Sequence, residues 1–218
     1  MKITISKENY LKAIAEAESE GETVIAATLS RWLNVTAPAV TMAIKRLKRD
    51  ALIDAAEDGQ ITLTAAGREI ANRLLFRHHL IERMLTEIFG MEWYKVHDEA
   101  EQLEHAVSAD FEQRLKEKLG GNGVCPHGND LGWDTPALRR QRGLRPLAEL
   151  GPGQRAAVTS VFERDRKLLE FLDSVGLRPG VDVEVVARNY DDTLTLRVGG
   201  RELPLGCRVA ARVWVRPA

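Results

Sequence analysis

The hydrophobic positions in the first third of the chain follow a helical period. After Ser6, a suitable N-cap, apolar residues recur every three to four positions at Leu11, Ile14 and Ala15. A second run with the same period covers residues 25–33. The pattern therefore predicts two helices at the start of the chain.

A third helix is predicted to begin at Thr36. Pro38 lies in its first turn, where the missing N–H breaks no hydrogen bond. Val40, Ile44 and Leu47 form one apolar stripe, which leaves the opposite face to solvent. The residues on that outer face are Thr41, Lys45, Arg46, Lys48 and Arg49.

Two short strands are predicted to follow, over residues 52–53 and 61–63. The turn between them contains Gly59, which supplies the positive φ that such a turn often needs. Two helices joined by a tight turn and followed by a hairpin are typical of a winged helix-turn-helix domain. We assign this domain to residues 1–72.

The segment 73–145 is predicted to be a helical domain that ends in a linker. Its apolar pattern indicates two long helices broken near Gly90, and from residue 120 the chain is rich in glycine, asparagine, proline and arginine. Residues 82–117 carry ten acidic and four basic side chains, a net charge of −6. Such an acidic surface disfavours contact between this domain and DNA.

Residues 146–218 show the two-residue alternation of β-strands, with glycine-rich turns and one short helix over 166–174. Several short strands of this kind favour a small β-barrel. The predicted fold class is therefore α+β, with a winged helix, a helical domain and a small C-terminal barrel.

The charge balance narrows the class of protein. With 31 Lys and Arg against 32 Asp and Glu, the chain is no polycationic nucleic-acid coat, so any DNA-binding surface has to be local. It has no apolar run of about 18 residues and no signal-peptide core, so neither a membrane location nor secretion is expected. Cys125 and Cys207 form no CxxC motif, and a reducing, cytoplasmic location is the simplest expectation.

All five histidines lie between residues 78 and 127, within the acidic part of the chain. On one predicted helix, an arc of about 100° contains His97, Glu101, Glu104 and His105. The last three span about 6 Å of helix axis, close enough for one metal ion, whereas His97 lies about 12 Å from His105. The spacing therefore implies two metal sites.

The candidates for the second site come from separate segments. His78 and Glu82 are an i, i+4 pair on one helix face, and His97 joins them if the two helices pack antiparallel. Cys125 and His127 stand two residues apart in a loop. From chemistry alone, a solvated Glu/His-rich surface is an alternative of about equal weight.

These segments resemble the DtxR/MntR family of metal-dependent transcriptional repressors. The similarity covers the winged helix, the segment RHHLIERMLTEIFGMEWYKVHDEAEQLEHAVS (77–108), the loop CPHGN (125–129) and a C-terminal part similar to FeoA-type SH3-like domains. The stretch HDEAEQLEH is the most specific signal. The resemblance implies a homodimer without enzymatic activity, which binds operator double-stranded DNA and represses metal-uptake genes when metal is bound.

By this resemblance, a primary regulatory site is formed by Glu101, Glu104 and His105 with a side chain from the first helix. Family members commonly carry Asp or Met at that last position, where this chain has Asn9; Glu8 or a water is the alternative ligand. Iron sensors typically have Cys at the position of Glu101, whereas manganese sensors have Glu. The resemblance therefore favours Mn(II) as the cofactor, with Fe(II) as the alternative.

The second site resembles two family variants at once. The ancillary site of iron sensors is matched by His78, Glu82 and His97. The site of three-domain manganese sensors is matched by Glu82, Cys125 and His127. In both variants an acid of the SH3-like domain completes the shell, and the candidates are Glu163 and Asp165. The sequence leaves the choice between the two groupings open.

The third helix is then the recognition helix, which enters the DNA major groove. Base edges are expected to be read by Thr36, Ala37, Pro38, Ala39, Thr41 and Met42. Phosphates are expected to be contacted by Lys45, Arg46, Lys48 and Arg49. For each of these four, a solvated charge without a DNA contact is the alternative.

Two rival functions stay open at this point. One is a winged-helix regulator that senses an organic effector, in which the clustered metal ligands are incidental. The other is a carboxylate-bridged metalloenzyme, which is disfavoured because di-iron bundles need paired Glu-x-x-His motifs on separate helices, whereas this cluster has the pattern E-x-x-E-H.

Overall fold

The computed structural model describes residues 3–218, and the N-terminal part of these is a winged helix. Its elements are α1 (Ile5–Ser19), α2 (Ala26–Leu33), α3 (Ala37–Arg49), β1 (Ile53–Ala55) and β2 (Ile61–Leu63). Leu11, Ile14 and Ala15 are completely buried, as the apolar stripe predicts. The strands β1 and β2 pair antiparallel around Gly59, which has a φ of +84°. The predicted winged helix-turn-helix is therefore confirmed.

The N-cap of α1 is Thr4, so the prediction of Ser6 was wrong. The Thr4 hydroxyl accepts a hydrogen bond from the Lys7 N–H at 3.4 Å, and the helix has already begun at Ile5. Threonine and serine both satisfy a free amide of a first turn, so the sequence offered two caps two residues apart.

One continuous helix, α4 (Ala65–Glu87), connects the winged helix to the middle of the chain. Its Ala71 and Leu75 pack in the N-terminal core, and Leu80 and Leu85 pack in the next core. Because α4 belongs to both cores, it fixes the spacing between them. No helix in residues 3–218 combines the length and the apolar character needed to cross a bilayer.

Two short helices follow Gly90, where the sequence predicts one long helix. They are α5 (Val96–Leu103) and α6 (Ala109–Leu119). The Ser108 hydroxyl accepts a hydrogen bond from the Phe111 N–H at 3.2 Å and caps α6 as a new helix. Glu104 and His105 consequently lie in the turn that follows α5.

The predicted linker, residues 120–145, is packed against the rest of the protein. It contains a short helix, α7 (Pro136–Gln141), and an isolated β-bridge. Arg139 is buried and donates a hydrogen bond to Asp134 at 3.0 Å. This packing holds the loop 125–129 in one position.

The C-terminal part forms an antiparallel sheet with short helices. Its elements are β3 (Arg145–Pro146), a single 3₁₀ turn (Leu147–Glu149), β4 (Arg155–Val161), α8 (Arg166–Ser174), β5 (Asp182–Arg188), β6 (Thr193–Val198), β7 (Arg201–Gly206), α9 (Cys207–Ala210) and β8 (Val213–Pro217). The strand order is β3-β8-β4-β5-β6-β7, and register shifts in β4 and β5 bend the sheet, consistent with the SH3-like fold.

Two C-terminal features differ from the sequence pattern. The strand β7 was not predicted because it lies at the sheet edge and buries only Leu205, so it lacks the alternation of a strand with one buried face. The predicted strand 209–215 is shorter than expected, because α9 occupies its first residues.

Trp93, which precedes α5, joins the middle of the chain to the C-terminal domain. Its ring packs in the core of the C-terminal sheet. Its indole N–H donates a hydrogen bond to the Asp173 carboxylate of α8 at 2.5 Å. The C-terminal domain is thereby held against α4 and α5.

The loop 125–129 lies directly on β4. Gly128 has a φ of +83°, and a Cβ atom at this position would lie 1.9 Å from the carbonyl oxygen of Thr159. The Val161 N–H donates a hydrogen bond to the His127 carbonyl at 3.0 Å. The loop therefore requires glycine for both its conformation and its space.

We expect Gly128→Ala to lower the free energy of unfolding by about 3 kcal/mol, because the added Cβ would clash with the Thr159 carbonyl at a backbone conformation that alanine rarely adopts. Denaturant unfolding followed by tryptophan fluorescence measures this change. Gly121→Ala is the matched control, since nothing lies within 4 Å of a Cβ there. Equal stability of the two variants would contradict the close contact between loop and strand.

Candidate metal centre and DNA-binding face

The outer face of α3 presents all the residues that the sequence assigns to DNA. Val40, Ala43 and Leu47 are buried beneath this face. The exposed residues are Thr36, Ala37, Pro38, Ala39, Thr41, Met42, Lys45, Arg46, Lys48 and Arg49. Four of them are basic, and the segment 36–49 contains no acidic residue. The result is a local basic surface on a chain whose net charge is near zero.

A polar cavity of about 230 Å³ lies where the winged helix, α5 and the C-terminal domain meet. We call it the junction cavity. Its lining consists of Asn9, Lys12, Glu16, Trp32, Leu33, Glu101, Glu104, His105 and Arg164. The structure thus brings together the four residues predicted for the primary site, although one comes from α1 and the other three from α5 and the turn after it.

Lys12 lies among the carboxylates of the junction cavity and is 3% exposed. Its Nζ donates a hydrogen bond to Glu104 Oε2 at 2.7 Å and lies 3.8 Å from both Glu16 Oε1 and Glu101 Oε1. Burial lowers the pKa of Lys12, but the carboxylates of Glu16, Glu104 and Glu101 outweigh burial and raise it. Lys12 is therefore an ammonium ion that balances the charge of these carboxylates.

The α1 side chain that contacts His105 is Glu8. Nδ1 of His105 donates a hydrogen bond to Glu8 Oε2 at 2.8 Å, and its Nε2 lies 3.5 Å from Glu104 Oε1. Asn9 lines the junction cavity and has no side-chain hydrogen bond within residues 3–218. Asn9 thus lies at the cavity, whereas Glu8 contacts only the His105 side of it.

Arg164 connects the C-terminal domain to the junction cavity. Its guanidinium pairs with Glu16, donates a hydrogen bond to the Trp32 carbonyl at 3.2 Å and lies 3.4 Å from Glu101 Oε1. It also stacks over the Trp32 ring at 4.9 Å from the centroid. This side chain therefore contacts the winged helix and α5 at the same time.

A second group of ligand-type side chains lies buried between α4, α5, the loop 125–129 and the segment after β4. We call it the buried cluster, and it consists of His78, His79, Glu82, His97, Cys125, His127 and Glu163. Two overlapping quartets each have donor atoms within 4.8 Å of one another: His78, Glu82, His97 and Glu163, and His79, Glu82, Cys125 and Glu163. Both groupings that the sequence left open thus meet in one place.

Glu82 lies between the imidazoles of the buried cluster. Its Oε1 is 3.1 Å from His78 Nε2 and 3.2 Å from His97 Nδ1, and its Oε2 is 3.3 Å from His127 Nδ1. Burial raises the pKa of Glu82, but the neighbouring imidazoles of His127 and His78 outweigh burial and hold it well below its usual range. Glu82 is therefore an ionised carboxylate that is completely buried.

Glu163 is the contribution of the C-terminal domain to the buried cluster. Its Oε1 accepts a hydrogen bond from His79 Nε2 at 3.0 Å, and its Oε2 accepts one from Asn129 Nδ2 at 2.6 Å. Burial disfavours the charged forms of both Glu163 and His79. The attraction between these two side chains outweighs burial, so it lowers the pKa of Glu163 and raises the pKa of His79 to about 9. The Sγ of Cys125 lies 3.5 Å from Glu163 Oε2.

The Cys125 thiol is neutral in this arrangement. Burial, followed by the charges of Glu82 and Glu163, raises its pKa well above the usual value. Cys125 and Cys207 are both free, so no disulfide joins them.

Two positions differ from what the sequence indicated. Asp165 does not reach the buried cluster, because its carboxylate accepts a hydrogen bond from the Leu168 N–H at 3.0 Å and caps α8. His79, whose place around the helix predicts a surface or interface position, is buried in the cluster. Helical periodicity could not show this, since the C-terminal domain covers that face of α4 through Glu163.

The junction cavity and the buried cluster are in direct contact. His78 Nδ1 donates a hydrogen bond to Glu104 Oε2 at 2.6 Å, and His97 Nε2 lies 3.6 Å from Glu101 Oε1. Burial lowers the pKa of His97, but its bonds to Glu101 and Glu82 outweigh burial and raise it to about 10. Glu104 and Glu101 of the junction cavity thus each contact one histidine of the buried cluster.

Sequence reasoning missed Lys12, Glu16 and Arg164. A signal existed for Lys12, because it is the one charge in the otherwise apolar run 10–15, and a charge in a buried helix face requires a partner. For Arg164 no local signal exists. Its partner Glu16 is 148 positions away in the chain.

Comparison with known proteins agrees with this architecture. The family profiles that match are "Iron dependent repressor, N-terminal DNA binding domain" over residues 2–61, "Iron dependent repressor, metal binding and dimerisation domain" over 64–131, and "FeoA domain" over 145–217. The diphtheria toxin repressor of Corynebacterium diphtheriae is 32% identical over 212 residues, 91% of each chain. The iron-dependent repressor IdeR of Mycobacterium leprae is 31% identical over 219 residues, 95% of each chain.

Among solved structures, a manganese-dependent transcriptional repressor in complex with manganese superimposes with a TM-score of 0.87. It is 29% identical in sequence, and the match covers 97% of this chain and 100% of that one. The shared fold therefore extends through all three parts of the molecule.

A winged helix joined to a buried set of nitrogen, oxygen and sulfur donors defines a DNA-binding regulator of the metal-responsive class. The chain belongs to the iron-dependent repressor family, which includes the diphtheria toxin repressor and IdeR. The predicted resemblance and the three-part α+β fold are thereby confirmed. This is a family of transcriptional repressors and not of enzymes, so the metalloenzyme alternative has no support.

We expect Lys12→Met to destabilise the metal-free protein by about 3–5 kcal/mol, because it leaves buried carboxylates without a cation. For a chain of this size, that change lowers the melting temperature by about 10 °C. Thermal unfolding of chelator-treated protein measures it. The control is Lys95→Met, which removes a surface pair with Glu92 and should have little effect. An unchanged melting temperature for Lys12→Met would show that Lys12 does not balance the carboxylates.

Proposed function

We propose that this protein is a homodimeric, Mn(II)-responsive repressor that binds operator DNA when its metal sites are filled. Its targets in the cytoplasm are proposed to include metal-uptake genes. The observation that supports this most directly is the junction cavity. Asn9 and Lys12 of the DNA-binding domain share this cavity with Glu101, Glu104 and His105, so a single ion can fix the two domains relative to each other.

The residues of the junction cavity fit a divalent cation. Carboxylate, amide and imidazole donors line it, and Glu16 Oε1 is buried without a hydrogen-bond partner in the described part of the chain. Its lining contains no thiol, and hard oxygen donors suit Mn(II), so discrimination against Fe(II) depends on geometry and availability. When bound there, Mn(II) supplies positive charge that the facing carboxylates share.

The primary ligands are proposed to be Glu101, Glu104 and His105 with Asn9 from α1. Glu8 is an alternative α1 ligand, supported by its 2.8 Å contact with His105. The buried cluster is proposed as a second metal site that involves Glu82 and Glu163. His78 and His97 are held for this role by Glu104 and Glu101, since a carboxylate bonded to one ring nitrogen orients the other toward a ligand.

The side chains of the junction cavity explain how the DNA-binding domain and the helical domain respond to a bound ion. Lys12 and Arg164 neutralise the carboxylates of the junction cavity in the absence of a divalent ion, but both are long, flexible side chains. Short ligands such as Asn9 and His105 instead require a defined distance between α1 and α5. The conformer with that distance is proposed to be the one whose two recognition helices match successive major grooves, about 34 Å apart. To shift the ratio of this conformer to the other from 1:99 to 99:1, the ion has to bind it more favourably by about 5.5 kcal/mol.

The exposed apolar residues of the middle region support a homodimer. Phe89 is 67% exposed and Phe111 is 44% exposed, and Ile88 and Leu103 are also exposed. These residues lie in the part of the chain that matches the metal-binding and dimerisation profile. Exposed apolar side chains of this kind are typical of a surface that a second copy covers.

We expect Mn(II) to raise the affinity of chelated wild-type protein for its operator by at least about 100-fold. In Glu104→Gln or His105→Ala, this stimulation should be lost, because the primary site then lacks a ligand. Fluorescence anisotropy with a duplex selected from random DNA in the presence of Mn(II) measures the affinity, and gel filtration shows whether the dimer persists.

Glu99→Gln is the matched control for these variants, because Glu99 is an exposed acid of the same helix. It should keep the full response to Mn(II). Tight operator binding by chelated wild-type protein would refute metal control. Binding that returned only with an added organic molecule would favour an organic effector.

For DNA contact, we expect Lys45→Ala to weaken binding to all sequences about equally. It should lower the slope of log affinity against log salt by about one, because one phosphate contact is lost. Anisotropy titrations at several salt concentrations measure the slope, and Lys118→Ala on α6 is the control. A loss confined to one operator sequence would show that Lys45 reads a base.

A further inference from the structure

One cation of the junction cavity is supplied by the chain itself. Lys12 Nζ lies 2.7 Å from Glu104 Oε2 and 3.8 Å from Glu101 Oε1. It also lies 3.0 Å from His78 Nδ1 and 3.8 Å from Glu16 Oε1. These four neighbours are carboxylate oxygens and an imidazole nitrogen, the atom types that bind divalent ions in proteins. The ammonium nitrogen therefore lies at a point where a metal ion would have suitable ligands.

The two oxygens of Glu104 contact different groups. Its Oε2 accepts a hydrogen bond from Lys12 and lies 2.6 Å from His78 Nδ1. Its Oε1 lies 3.5 Å from His105 Nε2. Because Glu104 and His105 are proposed ligands of one ion, we expect that ion at Oε1. A single carboxylate can then hold the ion at one oxygen and the Lys12 ammonium at the other.

The cationic neighbours of Glu101 are arranged in a similar way. Its Oε1 lies 3.8 Å from Lys12 Nζ, 3.4 Å from the Arg164 guanidinium and 3.6 Å from His97 Nε2. All three of these contacts are made by the same oxygen. The Oε2 atom of Glu101 is therefore the one that can bind an ion while these contacts persist.

Burial keeps Lys12 beside these carboxylates. The residue is 3% exposed, and its neighbours Leu11 and Ile14 on α1 are completely buried. An ammonium ion that leaves its partners inside a protein loses their attraction without regaining water. We therefore expect the Lys12 ammonium to stay at Glu104 Oε2 when an ion binds at Oε1.

We propose that Lys12 is a built-in cation of the junction cavity, which shares Glu104 with the regulatory metal ion. Its ammonium takes the room of a further divalent ion, so the cavity holds one. Two cations on one carboxylate repel each other, so Lys12 also raises the metal concentration at which the protein responds. This inference rests on the proposed function, because it takes the ion at Glu101, Glu104 and His105 to be the regulatory one.

The first test removes the positive charge with Lys12→Gln. This variant should bind Mn(II) at least about tenfold more tightly than the wild type, because the repulsion between ammonium and ion is lost. Competition with a fluorescent chelator measures the Kd. The Mn(II) concentration for half-maximal operator binding should fall by a similar factor.

Lys95→Gln is the matched control for this test, since it removes an exposed cation paired with Glu92. It should leave both the Kd for Mn(II) and the half-maximal concentration unchanged. Equal or weaker Mn(II) binding by Lys12→Gln would overturn the role of Lys12.

The second test replaces the ammonium with a carboxylate. Lys12→Glu, folded in the presence of Mn(II), should bind one Mn(II) per chain more than the wild type, because an ion can then take the place of Nζ. Equilibrium dialysis with metal analysis counts the ions. An unchanged count in folded protein would show that Lys12 does not take the room of an ion. Failure of Lys12→Glu to fold even in Mn(II) would contradict it equally, since the added ion should balance the carboxylates.

Failure of this inference is distinguishable from failure of the proposed function. If both Lys12 variants bind Mn(II) as the wild type does and Mn(II) still controls operator binding, the role of Lys12 is wrong and the repressor function stands. If chelated wild-type protein binds its operator as tightly as metal-loaded protein, the repressor function itself fails. The Kd and the ion count of the variants then still decide whether Lys12 shares the cavity with an ion.

Discussion

The arrangement depends on contacts between the carboxylates of the junction cavity and the histidines of the buried cluster. Glu104 accepts a hydrogen bond from His78 at 2.6 Å, and Glu101 lies 3.6 Å from His97. Burying a carboxylate is costly unless cationic or donor groups surround it. These contacts join the junction cavity to the buried cluster, so a substitution in one is expected to change the orientation of side chains in the other.

The carboxylates of the junction cavity are balanced by cationic side chains of the chain itself. Lys12 is surrounded by three carboxylates, and Arg164 extends from the C-terminal domain to Glu16 and Glu101. Under the proposed function, a divalent ion competes with the Lys12 ammonium and the Arg164 guanidinium for the same carboxylates. The affinity for metal is then set by the difference between two favourable arrangements, which makes a graded response to metal concentration physically reasonable.

The C-terminal domain contributes side chains to both candidate metal sites. Its Glu163 enters the buried cluster, its Arg164 enters the junction cavity, and its core encloses Trp93 from the middle of the chain. Two neighbouring residues of one short segment thus contact both sites. Movement of this domain would therefore disturb the carboxylates of both candidate sites at once.

The sequence by itself determined the elements with a regular apolar period and the types of candidate ligand. Apolar periodicity predicted α1, α3 and α8, and the pattern E-x-x-E-H in a familiar motif indicated the metal chemistry, because such signals are local. Only the tertiary structure decided that both groupings of the second site lie in one buried cluster, that Glu163 rather than Asp165 enters it, and that Lys12 pairs with Glu104. These contacts join residues far apart in the chain, and neither helical spacing nor composition carries information about which distant side chains meet.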